Sequence, residues 1–554
     1  MRTLTAGTLQ AHYKNMTLKK GKLYEGKVTE YRFPDTGVVS AEGEKVLVKG
    51  ALPGQCISFY ITRRRSGTSK GRLAEVLERS PLELQEPSCP HFGICGGCTY
   101  QNVAYEDQLK LKAECVRKLI TAADAFDPPC KNAAGNANNI FEGIFPSSVT
   151  CAYRNKMEYT FGDEYKGGPL ALGLHKKGSF YDVVNTDGCS IVHEDFNMIR
   201  SAVRDFFAGY YSRGEVDYHH RRSHDGYLRH LLLRRSVSTG RILAALITTT
   251  ADKSPALAGD EAAEQDLITE FSEMLKSLKL EGRIAGAFHV YNNSLSDVVQ
   301  SDETILLFGE DHITEEILGL KFRISLFSFF QTNSKGAEVL YSKAREYAIG
   351  QGTGVQSAQC GDAAVSAGDR SAVPAASLPV IYDLYCGTGT ITQLMSSAAS
   401  RAIGIEIVEE AVEAAKKNAV MNGISNTQFI AGDVMKVLCG EIGENLPHPD
   451  LIILDPPREG VHPKALAKIL SFGVQNIIYI SCKPTSLAAE LETFKAAGYR
   501  IQKYACVDMF PGTVHVETVC LLGKRKPDTT VRIGIDMEDY YRIREAEKTA
   551  EKSL

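Results

Sequence analysis

Residues 379–390 read "PVIYDLYCGTGT". A β-branched and aromatic run, Val380 to Leu384, stops at a turn holding Gly387 and Gly389, and an apolar helix-like stretch follows. Glycines at such a turn let the backbone come close to a ligand at the carboxyl end of the strand. The third glycine of the dinucleotide fingerprint is missing, since Ile391 and Thr392 stand there. The segments downstream decide the fold. Strand-like "RAIGIEI", "TQFIAGD", "DLIILDPP" and "NIIYISC" alternate with helical stretches such as "EEAVEAAKKNAVMNG" and "PTSLAAELETFKAAG". That alternation predicts a doubly wound α/β sheet. It closes with "YRIQKYACVDMF" and "VHVETVCLLGK", two strands with no helix between them, so one strand must run antiparallel.

The chemistry is concentrated at the strand ends. Glu406 falls 17 residues after Gly389, a spacing at which an acid accepts hydrogen bonds from both ribose hydroxyls. Asp433 ends the third strand and Asp455 opens "DPPR" after the fourth. One such acid alone is as well read as a helix N-cap; four glycine-rich or acidic strand ends on one edge point to a ligand. The terminal hairpin is the addition that S-adenosylmethionine-dependent methyltransferases make to a nucleotide-binding sheet. "DPPR" lacks the aromatic that follows the prolines in amino-group methylation. Instead the fifth strand ends on Cys482, a type of residue that is either a small buried hydrophobe or a nucleophile. Pro484 can end that strand and open the next helix. Uracil C5 is a poor nucleophile until a thiolate adds at C6, and the C5 proton must then be removed. His515 and Glu517, between the last two strands, are the candidate bases.

Upstream, the 554 residues leave room for about three domains. A hydrophobic content of 44% with 23% charged residues is that of a soluble protein. No apolar run approaches a membrane span, and the N-terminus lacks the apolar core of a signal peptide. A cytoplasmic protein with no membrane partner is expected, and clustered cysteines there mean metal or catalysis more often than disulfides. The net charge of −4 does not announce nucleic acid. Residues 14–76, however, carry 13 Lys/Arg against 6 Asp/Glu, a local basic footprint. Trp is absent, so base stacking falls to Tyr, Phe, His or Arg. Five short strand-like pieces over residues 20–78 predict an OB-like barrel, with "RRRSGTSKGR" (63–72) on a hairpin. Residues 140–320 read as α+β. Within them, "YRNKMEY" (153–159) and "LRHLLLRR" (228–235) mix basic with aromatic or apolar residues, a pattern suited to RNA. Residues 251–264 and the Gly/Ala/Ser-rich 350–378 read as loops. The expected division is 14–80, 81–320, 321–527 and a charged extension at 528–554.

Cys89, Cys95 and Cys98 are spaced C-x5-C-x2-C on a glycine-rich loop. Three thiols there can share one centre with a distant fourth, and spacing alone does not separate iron–sulfur from zinc. Cys115, Cys151 and Cys189 compete for the fourth place.

Together, "FFQTNS", "DLYCGTGT", "DPPREG", "SCKP" and "MFPGTVHVE" resemble, in this order, the motifs of the RNA uracil-5 methyltransferases, and the likeness runs from about residue 20 to 525. It implies an N-terminal TRAM barrel, Cys482 as nucleophile and Glu517 as base. It implies that Gln331, Tyr385, Glu406 and Asp455 contact S-adenosylmethionine. Asp433 and Thr390 occupy positions that touch the cofactor in some members, Thr390 standing where some relatives have Asn. It also implies a [4Fe–4S] cluster on Cys89, Cys95, Cys98 and Cys189, structural or RNA-organising. The expected substrate is structured RNA, 23S ribosomal RNA first and transfer RNA as the alternative. Cytosine C5 methylation and a non-catalytic RNA-binding role are the competing readings.

Overall fold

The computed structural model describes residues 18–525 apart from 66, 124, 126–139, 351–377 and 443–445. The extension at 528–554 and nearly all of the 350–378 stretch therefore lie outside the described residues. Among the described residues, no helix is long and apolar enough to cross a membrane.

The N-terminal segments form the expected barrel. Strands β1 (Leu23–Arg32), β2 (Thr36–Ala41), β3 (Glu44–Lys49), β4 (Cys56–Arg65) and β5 (Thr68–Glu78) close in the order β1-β2-β3-β5-β4. Alternate residues point inward, so Val39, Val46, Val48, Ile57 and Phe59 fill the centre with no exposure. Each such side chain contributes about 1.5–3 kcal/mol on burial. After a cysteine-bearing loop comes α1 (Tyr105–Ala122). This helix is a seam. Its Cys115 packs with barrel residues Tyr31 and Leu52 and with Tyr100 and Val103 of the loop, while Val116 and Ile120 pack against the C-terminal sheet.

A short strand, β6 (Phe141–Phe145), is followed by β7 (Lys156–Asp163), β8 (Leu170–His175), β9 (Val183–Asn185), α2 (Glu194–Arg213), β10 (Leu228–Arg235), β11 (Arg241–Thr248), α3 (Glu261–Ser277), β12 (Arg283–Tyr291) and β13 (Glu303–Gly309). Seven of these strands make a sheet in the order β13-β12-β11-β10-β7-β8-β9. Phe196, Val203 and Phe207 of α2 and Phe271 of α3 pack on one face. Asp260 caps α3 by accepting from the Ala262 and Ala263 amides.

One expectation fails here. "LRHLLLRR" is β10, and its residues are buried up to the last. Arg229 donates to the carbonyls of Asn292, Ser294 and Ser296 at 2.6–2.8 Å, and Arg234 donates to the Ser328 carbonyl. The guanidinium groups are consumed by backbone acceptors inside the protein, so this strand presents no basic face to RNA.

A hairpin of β14 (His312–Ile317) and β15 (Leu320–Ser325) leads to α4 (Ser334–Ile349). The doubly wound unit follows: β16 (Val380–Leu384), α5 (Thr390–Met395), β17 (Arg401–Glu406), α6 (Glu409–Met421), β18 (Thr427–Ala431), α7 (Val434–Leu438), β19 (Leu451–Leu454), α8 (Pro463–Ser471), β20 (Asn476–Ser481), α9 (Pro484–Ala496), β21 (Tyr499–Val507) and β22 (Glu517–Lys524). Pro484 does open α9, at its first turn. The sheet order is β18-β17-β16-β19-β20-β22-β21-β6. The five strands from β18 to β20 are parallel to their neighbours, and β22 is antiparallel to both β20 and β21. At the far edge β6 pairs parallel with β21. A strand from within residues 81–320 thus completes the C-terminal sheet.

Candidate functional site

The parallel register brings the ends of β16, β17, β19 and β20 to one edge: Leu384 lies opposite Ile405 and Leu454, and Leu454 opposite Tyr479. Just past β16 the chain pivots. Tyr385 takes φ 70°, and both its amide and that of Cys386 donate to the Ile405 carbonyl. Gly389 also has a positive φ, 75°, and an added Cβ there would meet Phe429 at 2.6 Å and Ala415 at 2.8 Å. Glycine is therefore required by both conformation and space. Glu406 accepts from the amides of Gly387 (3.1 Å), Ile407 (2.8 Å) and Val408 (3.0 Å), which fixes the carboxylate at the turn.

Beneath this turn Asp383 is fully buried. Its Oδ2 accepts from Thr392 Oγ1 at 2.5 Å, and its Oδ1 has no partner. Burial, with Asp455 and Glu406 nearby, pushes its carboxyl up to about 7. Beside the acids, Ile407, Val408 and Phe329 are exposed apolar side chains. Acceptors next to an apolar rim suit a nucleoside: the ribose hydroxyls and amino groups donate, and the base covers the rim. The residues present thus fit S-adenosylmethionine. Gln331 hydrogen-bonds Tyr341, and Tyr341 lies within electrostatic reach of Asp455, Asp383 and Glu517. Asp433 takes the local alternative, capping α7 through the Lys436 amide. Thr390 is buried at the start of α5.

Antiparallel register builds the second half of the site. Ser481 pairs with Thr518 across β20 and β22, so Cys482 and Glu517 come together at the same edge. Glu517 is buried and Cys482 half-buried. Burial lifts the Cys482 thiol up to about 11; Glu517 and Asp455 push the same way, and Arg458 pulls it down. Burial likewise lifts Glu517 to about 8, with Asp455 adding and Arg458 opposing, and lifts Asp455 to about 7. His515 goes the other way, down to about 4, through burial and the charges of Arg458, Lys112 and Arg154.

The loop that carries His515 toward Glu517 is gripped from four sides. Lys112 of α1 donates to Asp508 at 2.6 Å and to the Phe510 carbonyl at 3.2 Å. Asn333 donates to the Met509 carbonyl, 2.8 Å, and Tyr153 to that of Pro511, 2.8 Å. The Thr99 and Tyr100 amides donate to the Gly512 carbonyl, and Gln108 accepts from the Gly512 amide. Lys112 and Asp508 are both buried, at 2% and 0% side-chain exposure. Lys112→Met is expected to destabilise the protein by about 3–5 kcal/mol, because it strands a buried carboxylate. Chemical denaturation measures this, and adding Asp508→Leu should recover much of the loss.

Residues 441–525 match the family model described as tRNA (uracil-5-)-methyltransferase, and residues 381–444 match a methyltransferase domain. The chain is 43% identical over 510 residues to an RNA methyltransferase of Clostridium acetobutylicum, covering 92% of this chain and 99% of that protein. A relative with the same description in Caldanaerobacter subterraneus is 43% identical over 507 residues, covering 92% and 100%. The chain belongs to the RNA uracil-5 methyltransferase family. Its fold is shared by the tRNA (uracil-54, C5)-methyltransferase of Pyrococcus abyssi, solved with S-adenosyl-L-homocysteine (TM-score 0.61, 20% identity, 90% of this chain and 100% of that one). It is an S-adenosylmethionine-dependent RNA methyltransferase.

The cysteine loop of this methyltransferase sits against the gripped segment. An added Cβ at Gly512 (φ 78°) would lie 2.8 Å from Gln101 Nε2 and 4.0 Å from Cys98 Sγ. His91 of the loop reaches the Asp187 carbonyl at 2.7 Å, two residues before Cys189. Cys189 feels the charges of Cys98, Cys89 and Cys95. Cys95 receives the Gly97 amide and Cys98 the Gln101 side-chain amide. Cys115 is instead packed in the barrel seam and Cys151 is exposed. Among the described residues no three or more His, Cys, Asp or Glu side chains are gathered so as to hold a metal ion. Four cysteine thiols are by type the donor set of an iron–sulfur cluster and equally of a structural zinc ion, so the residue types fit either group without their being gathered into one centre here.

The sequence reading overlooked two residues of the methyltransferase site. In the sequence Arg458 stands out only as the non-aromatic residue after the prolines, yet it is the cation common to Cys482, Glu517 and His515. Tyr341 sits in an ordinary helical stretch with no local signal.

Proposed function

We propose that the protein methylates uracil C5 in structured RNA through Cys482 and Glu517. The observation that carries this reading is the register that sets a thiol and a buried carboxyl side by side at the cofactor edge. The Cys482 thiolate adds to uracil C6, and the displaced π electrons become an enolate at O4. When bound, S-adenosylmethionine would supply the methyl group as an electrophile on a cationic sulfur: the enolate pair would form the C5–methyl bond as the O4 carbonyl returns, and the sulfur would leave as a neutral thioether. Once C5 carries the methyl group, Glu517 removes the C5 proton. The freed electron pair restores the C5–C6 double bond and expels Cys482 as thiolate. A carboxyl lifted to about 8 is a far stronger proton acceptor than an imidazole held near 4, which favours Glu517 over His515 as base. Gln331, Tyr385, Glu406 and Asp455 are assigned to the cofactor. Residues 14–80 are assigned to RNA as a TRAM barrel, 81–320 to the cysteine loop and its scaffold, and 321–527 to methyl transfer. Nucleoside mass analysis of 23S ribosomal and transfer RNA, with and without the protein, tests the reaction. 5-Methyluridine that depends on the protein supports it; 5-methylcytidine, or no new nucleoside, overturns it.

Cys89, Cys95, Cys98 and Cys189 are further proposed as the ligands of a [4Fe–4S] cluster, which would tie the loop to the 187–189 turn. Anaerobically purified protein is expected to carry about four irons and four acid-labile sulfides. Cys189→Ser should lose most of them, and Cys151→Ser none.

A further inference from the structure

Between the barrel and the tip joining β8 to β9 lies an open cavity of about 380 Å³, lined among others by Asp35, Lys49, Cys98, Lys176, Lys177 and Phe180. The volume is that of a small-ligand pocket. Its charge is cationic: Lys49 is 81% exposed in its side chain, Lys176 and Lys177 are exposed, and Asp35 is the acid among them. Asp35 is buried, its Oδ1 makes no hydrogen bond, and its Oδ2 stands 4.0 Å from Lys49 Nζ. Above the cavity Phe180 is 78% exposed.

The tip that holds Phe180 out is not loose. The Lys177 amide donates to the Ile94 carbonyl at 2.7 Å and the Gly96 amide to that of His175 at 2.9 Å. Ser179 Oγ accepts from the Tyr181 and Asp182 amides, and Arg221 donates to the Phe180 carbonyl at 2.6 Å. Next to it Tyr181 is exposed with the Arg222 guanidinium 4.8 Å above its ring. A large apolar ring fixed in water by a braced backbone is unfavourable unless something covers it. Aromatic faces beside lysines are the recognition chemistry of single-stranded nucleic acid.

We propose that this cavity is a subsite for one single-stranded nucleotide of the RNA, its base stacked on Phe180 and its phosphates on Lys49, Lys176 and Lys177. The Asp35 carboxylate, an acceptor only, selects a base edge that offers N–H donors. The subsite rests on the reading that the substrate is RNA, and it lies on the barrel side of the cysteine loop, outside the Cys482 edge.

Because the chain contains no Trp, Phe180→Trp in the full-length protein places a single indole at the subsite, excited selectively at wavelengths where the tyrosines do not absorb. A single-stranded RNA 12-mer of mixed sequence is expected to quench that indole on binding. In fluorescence anisotropy with the labelled 12-mer, Phe180→Ala should weaken binding about tenfold. Lys176→Ala with Lys177→Ala should flatten the salt dependence by about one to two units of slope. No quenching, with Phe180→Ala binding within twofold of the parent, overturns the subsite. Equal quenching by a polyglutamate peptide also overturns it, since the site would then be a general polyanion surface. Neither readout depends on methyl transfer, so a failure of the uracil chemistry is seen separately in the nucleoside assay.

Discussion

Cys482→Ala abolishes methyl transfer to RNA, with a fall of about ten-thousandfold or more expected for loss of a nucleophile. Affinity for S-adenosylmethionine, measured by calorimetry, stays within about twofold, because the residues assigned to that ligand are untouched. Activity equal to the parent's would end the covalent reading. The thiol's environment gives a second expected result. With its pKa pushed up to about 11, Cys482 is nearly all thiol at pH 7, so alkylation by iodoacetamide is slow there and accelerates with pH. Arg458 is the group that pulls this value down. Arg458→Ala therefore slows alkylation of Cys482 at fixed pH, and peptide mass mapping reads the site directly.

Glu517→Gln stops the reaction after the new bond to C6 is made. A covalent protein–RNA adduct accumulates on denaturing gels, and turnover falls by about 10²–10⁴-fold, the range for loss of a general base. In the parent, the single-turnover step that releases RNA rises with pH and levels off above about 8, since only the ionised carboxylate accepts the C5 proton. Stability moves in the opposite direction. A carboxyl whose folded value is raised holds its proton more tightly when folded. Its stabilising contribution is complete below the ordinary carboxylate range and is lost as pH climbs to about 8. Glutamine has no such loss, so the thermal stability of Glu517→Gln relative to the parent grows between pH 5 and 8.5. The gain is on the order of 2 kcal/mol, allowing for relaxation around the buried group. Equal pH dependence of the two proteins would show that Glu517 is not the strained acid.

Much of the architecture was legible because it is periodic. The barrel strands, the βα alternation and the terminal hairpin each carry a local pattern, and strand ends in a parallel sheet share one edge whatever fills the loops. That is why Gly389, Glu406, Asp455 and Cys482 could be placed on one edge before any coordinates. The illegible parts depend on distant partners. Phe141–Phe145 is a five-residue strand whose identity comes from pairing with Tyr504, Cys506 and Val507. Arg229 and Arg234 looked like an RNA-facing stripe because nothing local announces that carbonyls at 292–296 and 328 will consume them. Arg458 and Tyr341 gain their meaning only from the carboxyls gathered around them.

The four-sided grip on residues 508–512 bears on how the polypeptide matures. Its holders come from residues 99–112, 153 and 333, and β6 closes on β21 across some 360 positions of chain. Such non-local contacts are slow to form. A nascent chain still lacking its last strands cannot shelter Lys112 or the edge of β6 that pairs with β21. Conversely, a fragment that begins at β16 contains the βα pattern without the struts of the Glu517 loop. Placement of Glu517 therefore draws on segments from both ends of the chain, and an excised C-terminal sheet should prove aggregation-prone rather than a working minimal enzyme.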